Sequence, residues 1–271
     1  MNGASREALT AARERLDALT DSTSVDAAAL ADELAAVTAL LDREVSLRRV
    51  LTDPAQAGEA KAELAQRLFG GQVSGPAADL VTGMVRSRWS QPRDLVDALE
   101  ELAGTADFTA AQRANALDDV EDELFRFARI ISSNTELRAA LTNRSASGTA
   151  KRELLRSLLG GRANATTERL VTRLVTAPRG RSLESGLESL SKLAAERRNR
   201  MVAVVTSAVP LSDTQRQRLG AALAKLYGRA MHLNLDVDPE VVGGIRVQVG
   251  DEVINGSLAD RLEDAARRLA S

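Results

Sequence analysis

Cysteine is missing from this sequence, so the chain offers neither disulfide bonds nor thiolate metal ligands. Aromatic residues make up only 2% of it, which leaves leucine, valine and alanine to build a core. Leucine and alanine are strong helix formers, so this composition favours packed helices. No run approaches the roughly 20 apolar residues of a membrane-spanning helix, and the amino-terminal residues lack the apolar segment of a signal peptide. We therefore expect any membrane association to go through partners.

Recognisable catalytic patterns are also missing. The single histidine, His232, is predicted on the outward face of a strand, where it cannot form a catalytic or metal cluster alone. Neither a P-loop nor a dinucleotide-binding glycine motif occurs. The glycine pairs at positions 70, 160 and 243 end helices or enter a strand, whereas anion sites need a helix amino terminus. Trp89 is predicted to be a packing anchor. We expect no catalytic, cofactor-binding or metal-binding residue and predict that the chain is not an enzyme.

Charge is nearly balanced over the whole chain but not along it. The net charge is −2, which argues against a general nucleic-acid binder. Residues 1–105 hold 11 basic and 17 acidic side chains, and residues 106–200 hold 17 and 12. Residues 201–271 hold 8 basic and 9 acidic side chains. The three segments therefore carry net charges of −6, +5 and −1. Either these charges lie on solvated helix faces, or the −6 and +5 segments bind different partners or each other.

The sequence contains an internal repeat with an offset of 90 residues. The stretch LRRVLTDPAQAGEAKAELAQRLFGG (47–71) aligns without a gap with LRAALTNRSASGTAKRELLRSLLGG (137–161). Residues 32–71 and 122–161 share 15 identities over 40 positions, far more than chance would give. We interpret this match as a duplication, with a first copy in residues 1–105 and a second copy in residues 106–200.

Each copy is predicted to be a bundle of helices, because apolar residues recur at helical spacing. The recurring positions are Leu34, Val37, Leu40, Leu41, Ala77, Leu80, Val81, Met84 and Val85 in the first copy, and Leu124, Phe127, Ile130, Ile131, Leu170, Val171, Leu174 and Val175 in the second. One helix is predicted to end at each of Gly70-Gly71 and Gly160-Gly161, with glycine in the left-handed conformation. The next begins after Gly75, and its equivalent stops before Pro178.

The helix predicted at residues 93–104 has a special place in the repeat. The first copy begins with a helix near residues 5–19, and the second copy has no separate counterpart of it. Residues 93–104 lie where that counterpart belongs, so one helix is predicted to end the first bundle and begin the second. The two bundles would then form a joined rod rather than flexibly linked domains.

Residues 201–271 change to a mixed pattern of strands and helices. MVAVVTSAV (201–209) is a β-branched run that predicts a buried strand. Ser212 and Gln215 have the spacing of a capping box at the start of a helix. The residues predicted to be buried by that helix are Leu219, Ala222, Leu223 and Leu226.

Two further strands and a final helix are predicted after this unit. MHLNLDV (231–237) and GIRVQV (244–249) alternate apolar and polar residues. A tight turn at Gly250-Asp251 lets Val253-Ile254 pair back, and Ser257 caps a last helix. The strand–helix–strand crossover should be right-handed. The fold class is therefore mainly α with a small α+β carboxy-terminal domain: two tandem helical bundles and a β-α-β-β-α unit.

The stretch MHLNLDVDPEVVGGIRVQVGDEVINGSLADRL (231–262) resembles the hallmark region of the delta subunit of bacterial rotary (F-type) ATP synthases. The mitochondrial relative of that family is the oligomycin-sensitivity-conferring protein. The matching positions are Asp238, Val241, Gly243-Gly244, Ile245, Val247, Gly250-Asp251 and Asn255-Gly256-Ser257, with Asn255 replacing the more usual aspartate. The resemblance covers roughly residues 107–271. The extra copy in residues 1–105 departs from the ordinary pattern and suits an actinobacterial-type delta subunit.

The resemblance implies a non-catalytic stator subunit of the proton-translocating ATP synthase, without cofactor or nucleic acid. In this family a helical domain, to which residues 106–200 correspond, holds amino-terminal helices of α subunits in a groove. The resemblance leaves open which of the two copies does so here. The carboxy-terminal domain, here residues 201–271, binds the b subunit of the peripheral stalk. One copy per complex would link the α/β head to the stalk at the cytoplasmic face of the bacterial cell membrane, as a peripheral protein. We expect the two helical copies to bind different α-subunit tails, or one of them to contact the stalk.

The alternative is a helical adaptor or nucleic-acid-binding protein unrelated to the synthase. Its support is the arginine content of the basic segment, at Arg138, Arg144, Arg152, Arg156 and Arg162. Aromatic residues that would stack on bases are almost absent there. A gel shift that weakens steeply with salt would favour this alternative, and any turnover by the isolated chain would favour an enzyme of unknown class.

Overall fold

The computed structural model of the protein describes residues 2–21, 25–198, 201–227, 231–238, 241, 244–249 and 252–255. The chain divides into two units, Met1–Arg197 and Arg198–Ser271. The described part of the first unit is helical, and that of the second is a small mixed sheet with one helix. This architecture confirms the predicted fold class. The division into three domains, with boundaries after residues 105 and 200, stays a prediction.

The duplication is visible in the backbone as well as in the sequence. The described helices before the sheet are α1 (Gly3–Asp21), α2 (Ala27–Arg43), α3 (Val45–Thr52), α4 (Gly58–Phe69), α5 (Gly75–Arg86), α6 (Pro92–Arg113), α7 (Leu117–Ser133), α8 (Thr135–Thr142), α9 (Gly148–Leu159), α10 (Ala165–Thr176) and α11 (Leu183–Arg198). Helices α2 to α5 and α7 to α10 begin and end at positions that differ by 90 residues in every case. The two copies therefore share one helical plan.

Helix α6 belongs to both copies, as the repeat predicted. Leu99 and Leu102 in its first half are buried in the core of the first copy. Phe108 and Ala111 in its second half are buried in the core of the second copy. The helix runs further than predicted, to Arg113, because both halves find a core to pack against.

The predicted apolar faces of the bundles are buried, with two exceptions. The buried positions include Leu34, Val37, Leu41, Leu80, Val81, Met84 and Val85 in the first copy, and Leu124, Phe127, Ile131, Leu170, Val171, Leu174 and Val175 in the second. Leu40 is only partly buried and Ile130 is exposed, so the prediction was wrong for those two. Trp89 is a packing anchor, buried in the first core with its Nε1 donating to the Met84 carbonyl at 2.8 Å.

The glycine pairs end helices α4 and α9, but not in the way predicted. Of the four glycines in these two pairs, Gly161 alone takes a left-handed conformation, with φ of 68°. Gly70 keeps a right-handed φ of −59°, so the left-handed cap predicted for the first copy was wrong. Glycine is required there by space: a Cβ at Gly70 would lie 2.6 Å from the Gln66 carbonyl oxygen. At Gly160 it would lie 2.5 Å from that of Arg156.

A glutamate on the second helix of each copy holds the start of the fifth. Glu33 on α2 accepts from the Ser74 backbone N–H at 2.9 Å and from its hydroxyl at 2.5 Å. In the second copy, Glu123 on α7 accepts from the Asn164 backbone N–H at 3.0 Å. A carboxylate at a helix amino terminus accepts hydrogen bonds from free N–H groups and interacts favourably with the positive end of the helix dipole. This brace gives the glutamate of the recurring Asp-Glu-Leu the same role in both copies.

The second unit contains β1 (Met201–Ser207), α12 (Asp213–Tyr227), β2 (Met231–Val237), β3 (Ile245–Val249) and β4 (Glu252–Asn255). The sheet order is β2-β1-β3-β4, with β1 parallel to β2 and the other pairs antiparallel. The predicted pairing of Val253-Ile254 with the preceding strand is therefore confirmed. The parallel pair needs the α12 crossover, whose right-handedness stays a prediction.

The capping box at the start of α12 is confirmed in both directions. The Ser212 N–H donates to the Gln215 side chain at 2.9 Å, and the Gln215 N–H donates to the Ser212 hydroxyl at 3.3 Å. Leu223 is buried in a small core with Val205, Val247 and Val249.

Other predictions for this unit were wrong or lie outside the described residues. Ala222 and Leu226 on α12 are exposed, because the small sheet covers only a narrow stripe of the helix. The His232 side chain, the Gly250-Asp251 turn, Gly243 and the helix predicted from Ser257 onward lie outside the described residues.

Candidate partner-binding groove

A groove separates the two helical copies along part of their junction. It has a cavity volume of about 940 Å³ and is lined by α2 and α6 from one side and by α10 and α11 from the other. Its floor is small and apolar, with Ala35, Ala39, Ala103, Leu170, Leu174 and Leu190 among the lining residues. Its rim carries both signs of charge, at Arg13, Asp42, Arg93, Asp97, Glu101, Arg173, Lys192 and Glu196. An apolar floor between charged rims suits an amphipathic helix.

One buried arginine, which is among the residues that line this groove, closes the junction. Arg179 lies in the loop between α10 and α11, and only 3% of its side chain is exposed. Its guanidinium donates to Glu100 at 2.6 Å and also to Asp97. Its Nε lies 3.4 Å from Asp42. All three carboxylates belong to the first copy, so this cation joins the copies through α2 and α6.

A second chain of charges connects the interior of the second copy to the first. Asp107 on α6 is fully buried and accepts from Arg169 at 2.8 and 3.0 Å. Arg173 donates to Asp107 and, at 2.5 Å, to Asp32 on α2 of the first copy. Burial raises the pKa of the Asp107 carboxyl, and the guanidiniums of Arg173 and Arg169 act in the opposite direction.

Most charged contacts across the junction have the same polarity. Arginines of the second copy donate, and carboxylates or carbonyls of the first copy accept. Arg197 lies 3.4 Å from Asp17, and Arg113 donates to the carbonyls of Val25, at 2.6 Å, and Thr20. The −6 and +5 segments therefore meet each other, which was one of the possibilities that their charges left open.

Large apolar side chains remain exposed outside the groove. In the second copy, Phe125 on α7 is 58% exposed, and Ile130 lies on the same helix. The position equivalent to Phe125 in the first copy is Ala35, which lies in the groove. The second unit exposes Val209, Leu226, Val237 and Val253. These side chains are candidate contacts for partners of the carboxy-terminal unit.

The arginines that supported a nucleic-acid alternative are in part engaged within the protein. Arg138 lies 3.6 Å from Glu184, and Arg152 donates to the Thr149 hydroxyl at 3.2 Å. Within the described ranges there is no group of three or more histidine, aspartate or glutamate residues that could hold a metal ion. No helix among the described residues is long and apolar enough to cross a membrane.

Sequence reasoning missed the two residues that organise the junction, Arg179 and Asp107. The sequence contained one signal for Asp107, because Asp17 precedes it by the repeat length. In the structure both aspartates pair with arginines. Arg179 gave no signal, since its acceptors lie 79 to 137 residues away in the sequence. Only the charge split between the copies hinted at such a contact.

Comparison with known proteins gives a consistent result. A family model described as ATP synthase delta (OSCP) subunit matches residues 104–269. ATP synthase subunit delta of Streptomyces coelicolor is 85% identical over 271 residues, covering 100% of this chain and 99% of that protein. The subunit of Thermobifida fusca is 50% identical over 270 residues and is covered completely. A chain from the cryo-EM structure of the Toxoplasma gondii mitochondrial ATP synthase hexamer is 21% identical, covers 62% of this chain and 95% of that chain, and has a TM-score of 0.28, too low to establish a shared fold.

Proposed function

This chain belongs to the ATP synthase delta (OSCP) family, and we propose that it joins the α/β catalytic head of the enzyme to the b subunit of the peripheral stalk. It is a stator subunit of ATP synthase and not an enzyme. The extra helical copy is a feature of its actinobacterial relatives too, because the Streptomyces and Thermobifida subunits align over the whole chain.

The proposed site for the catalytic head is the groove between the copies. The observation that carries this proposal is its apolar floor, which lies between rims of both charges. An amphipathic amino-terminal helix of an α subunit would bury its apolar face on Ala39 and Leu190 and pair its charged flanks with the rim. The charge difference between the copies supports the further proposal that they bind different α-subunit tails, or that one contacts the stalk.

The proposed site for the b subunit is the carboxy-terminal unit. Leu226 on α12 and Val237 on β2 are exposed apolar residues there, and such residues support a protein interface. With both contacts made, one copy of the subunit per complex would sit peripherally at the cytoplasmic face of the bacterial membrane and resist the torque of the rotor.

Binding of an α-subunit peptide to the full chain tests the groove. A fluorescent peptide of the α amino terminus is titrated with wild-type protein and with Ala39→Glu, which places a charge on the floor. Anisotropy should show affinity at least about tenfold weaker, because the carboxylate would be desolvated against the apolar face of the peptide. Ala36→Glu, on the same helix but outside the groove, is the matched control and should bind like wild type. Equal affinity for all three proteins would refute the groove assignment.

Recovery of the whole complex tests both partners together. The tagged chain is captured from gently solubilised membranes, and the proteins that accompany it are identified by mass spectrometry. The proposal predicts α, β and b subunits in a fixed ratio. Recovery of nucleic acid or unrelated proteins without α and b would instead favour the adaptor alternative.

A further inference from the structure

The loop between α10 and α11 has an unusual combination of backbone and side-chain features. Arg179 has a left-handed backbone, with φ of 50°, which is uncommon for a residue other than glycine, asparagine or aspartate. Its side chain is nearly fully buried although it carries a permanent charge. Both features cost free energy and persist only where the surroundings compensate them. The compensation comes from the three carboxylates of the first copy.

The positions of these carboxylates fix the orientation of the Arg179 loop relative to α2 and α6, as well as its distance from them. Asp42 lies on α2, whereas Asp97 and Glu100 lie one turn apart on α6. A guanidinium is a rigid planar fork, so one that donates to groups on two helices fixes its own loop in rotation and in translation. A lysine at this position would supply the charge without the fork.

Neighbouring contacts hold the same loop in place. Arg93 on α6 donates to the Arg179 carbonyl at 2.7 Å, and Arg181 donates to Glu100. The loop is thus bound to α6 by its backbone and by two side chains. Because residues of α6 are buried in both cores, the loop is bound to a helix that the two copies share.

We propose that Arg179 is the positioning residue that holds the second helical copy in one orientation against the first. The proposal rests on the stator function, since a subunit that resists torque gains from being a single stiff body. Without the Arg179 side chain, both bundles keep their own cores and remain folded. The joint between them then samples a wider range of angles, which Arg173–Asp32, Arg197–Asp17 and the shared helix α6 still limit.

The absence of native cysteine allows a direct measurement on the full chain. Glu63 on α4 and Glu153 on α9 are repeat equivalents, are exposed and lie away from the junction. Both are replaced by cysteine and spin-labelled, and the distance distribution is measured by pulsed electron paramagnetic resonance. The background protein should give one narrow distribution. Arg179→Asn should give one that is about twofold broader, because the carboxylates left behind repel one another.

Three substitutions distinguish the loss of the Arg179 guanidinium from backbone strain and from a change in net charge. Asparagine tolerates the left-handed backbone, so Arg179→Asn removes the guanidinium without added strain. Arg179→Lys keeps the charge and should give an intermediate width. Arg144→Asn makes the same change in net charge at an exposed loop position of the second copy and should leave the distribution unchanged.

A narrow, unchanged distribution in Arg179→Asn would overturn the proposal. Circular dichroism of each variant checks that the helices persist. If Arg179→Asn loses helix, Asp97→Asn and Glu100→Gln decide instead, since each removes one acceptor; the proposal predicts broadening for both and fails if neither broadens. Because no partner protein is present, a failure here is distinct from a failure of the proposed α-subunit or b-subunit contacts.

Discussion

The two helical copies have the same backbone plan but use their surfaces differently. The first copy packs the α2 face around Ala35 towards the groove, where small residues leave room. The second copy carries Phe125 at the equivalent position of α7 and exposes it. The two copies therefore share their helices and braces but differ on the surfaces that face different neighbours.

Electrostatics diverged in the same way. The first copy supplies the acceptors at the junction, among them Asp32, Asp42 and Glu100, and the second supplies Arg173 and Arg179 as donors. A charge imbalance that would repel within either copy alone is neutralised where they meet. The two copies therefore complement each other.

The largest expected effect is on the helix that the copies share. Ala103→Pro removes a backbone hydrogen bond in the middle of α6 and should lower the free energy of unfolding by about 3 kcal/mol or more. Because both cores depend on α6, thermal unfolding followed by circular dichroism should show loss of helix in both copies. Ala165→Pro is the control, since it lies at the first position of α10 after an extended residue, where proline is tolerated. If about half of the helical signal of Ala103→Pro unfolded at the wild-type temperature, one copy would be stable without the intact helix, and the dependence of both cores on α6 would be contradicted.

Matched truncations in the two cores compare the copies directly. Leu34→Ala and Leu124→Ala change equivalent, fully buried leucines, and each should cost about 2–5 kcal/mol through lost transfer energy and a cavity. Urea unfolding should show one shifted transition for either variant. A transition that splits in two would mean that the copies unfold independently.

The buried carboxylate of the second copy should give a smaller, pH-dependent effect. The pKa of Asp107 is raised above its ordinary 3.8, so protonation of this group favours the folded state. Its contribution to stability is present below that ordinary value and is lost as pH rises through the raised pKa. The free energy of unfolding of wild type, minus that of Asp107→Asn, should therefore fall as pH rises across this window. Urea unfolding at each pH measures this difference. If the difference rose with pH over the same range, the pKa of Asp107 would be lowered in the folded state and not raised.

The smallest effect is expected on the exposed face that distinguishes the second copy. Phe125→Ala should change stability by no more than about 0.5 kcal/mol, because the side chain buries little surface. Phe127→Ala, two residues along the same helix but in the core, should cost about 3–5 kcal/mol. Equal losses for the two would show that Phe125 packs against something in the isolated chain.

The sequence was sufficient for features that depend on neighbours along the chain. Helical spacing identified the buried face of α5, including Leu80 and Val81, and the Ser212–Gln215 spacing identified a cap that forms in both directions. The eight-residue helices α3 and α8 were missed as separate elements, because about two turns are too short for a periodic pattern to distinguish.

Features that depend on distant contacts could not be derived in the same way. Lys61 and Lys151 match in the repeat, but nothing in the sequence indicates that both are buried, or that burial lowers the pKa of Lys61. The position of Leu226 was also mispredicted, because helical spacing cannot tell how wide a stripe the small sheet will cover. Periodicity identifies a face, and tertiary packing decides how much of it is covered.

Hydrogen exchange along α6 tests the central claim, that the two copies form one body built on a shared helix. Amides in residues 92–102 and 103–113 of the native chain are compared under conditions in which exchange reports the free energy of opening. The shared-helix account predicts the same free energy for both halves, equal to that of global unfolding. A second half that opens at lower free energy than the first would mean that the copies are separate domains joined by a helical linker.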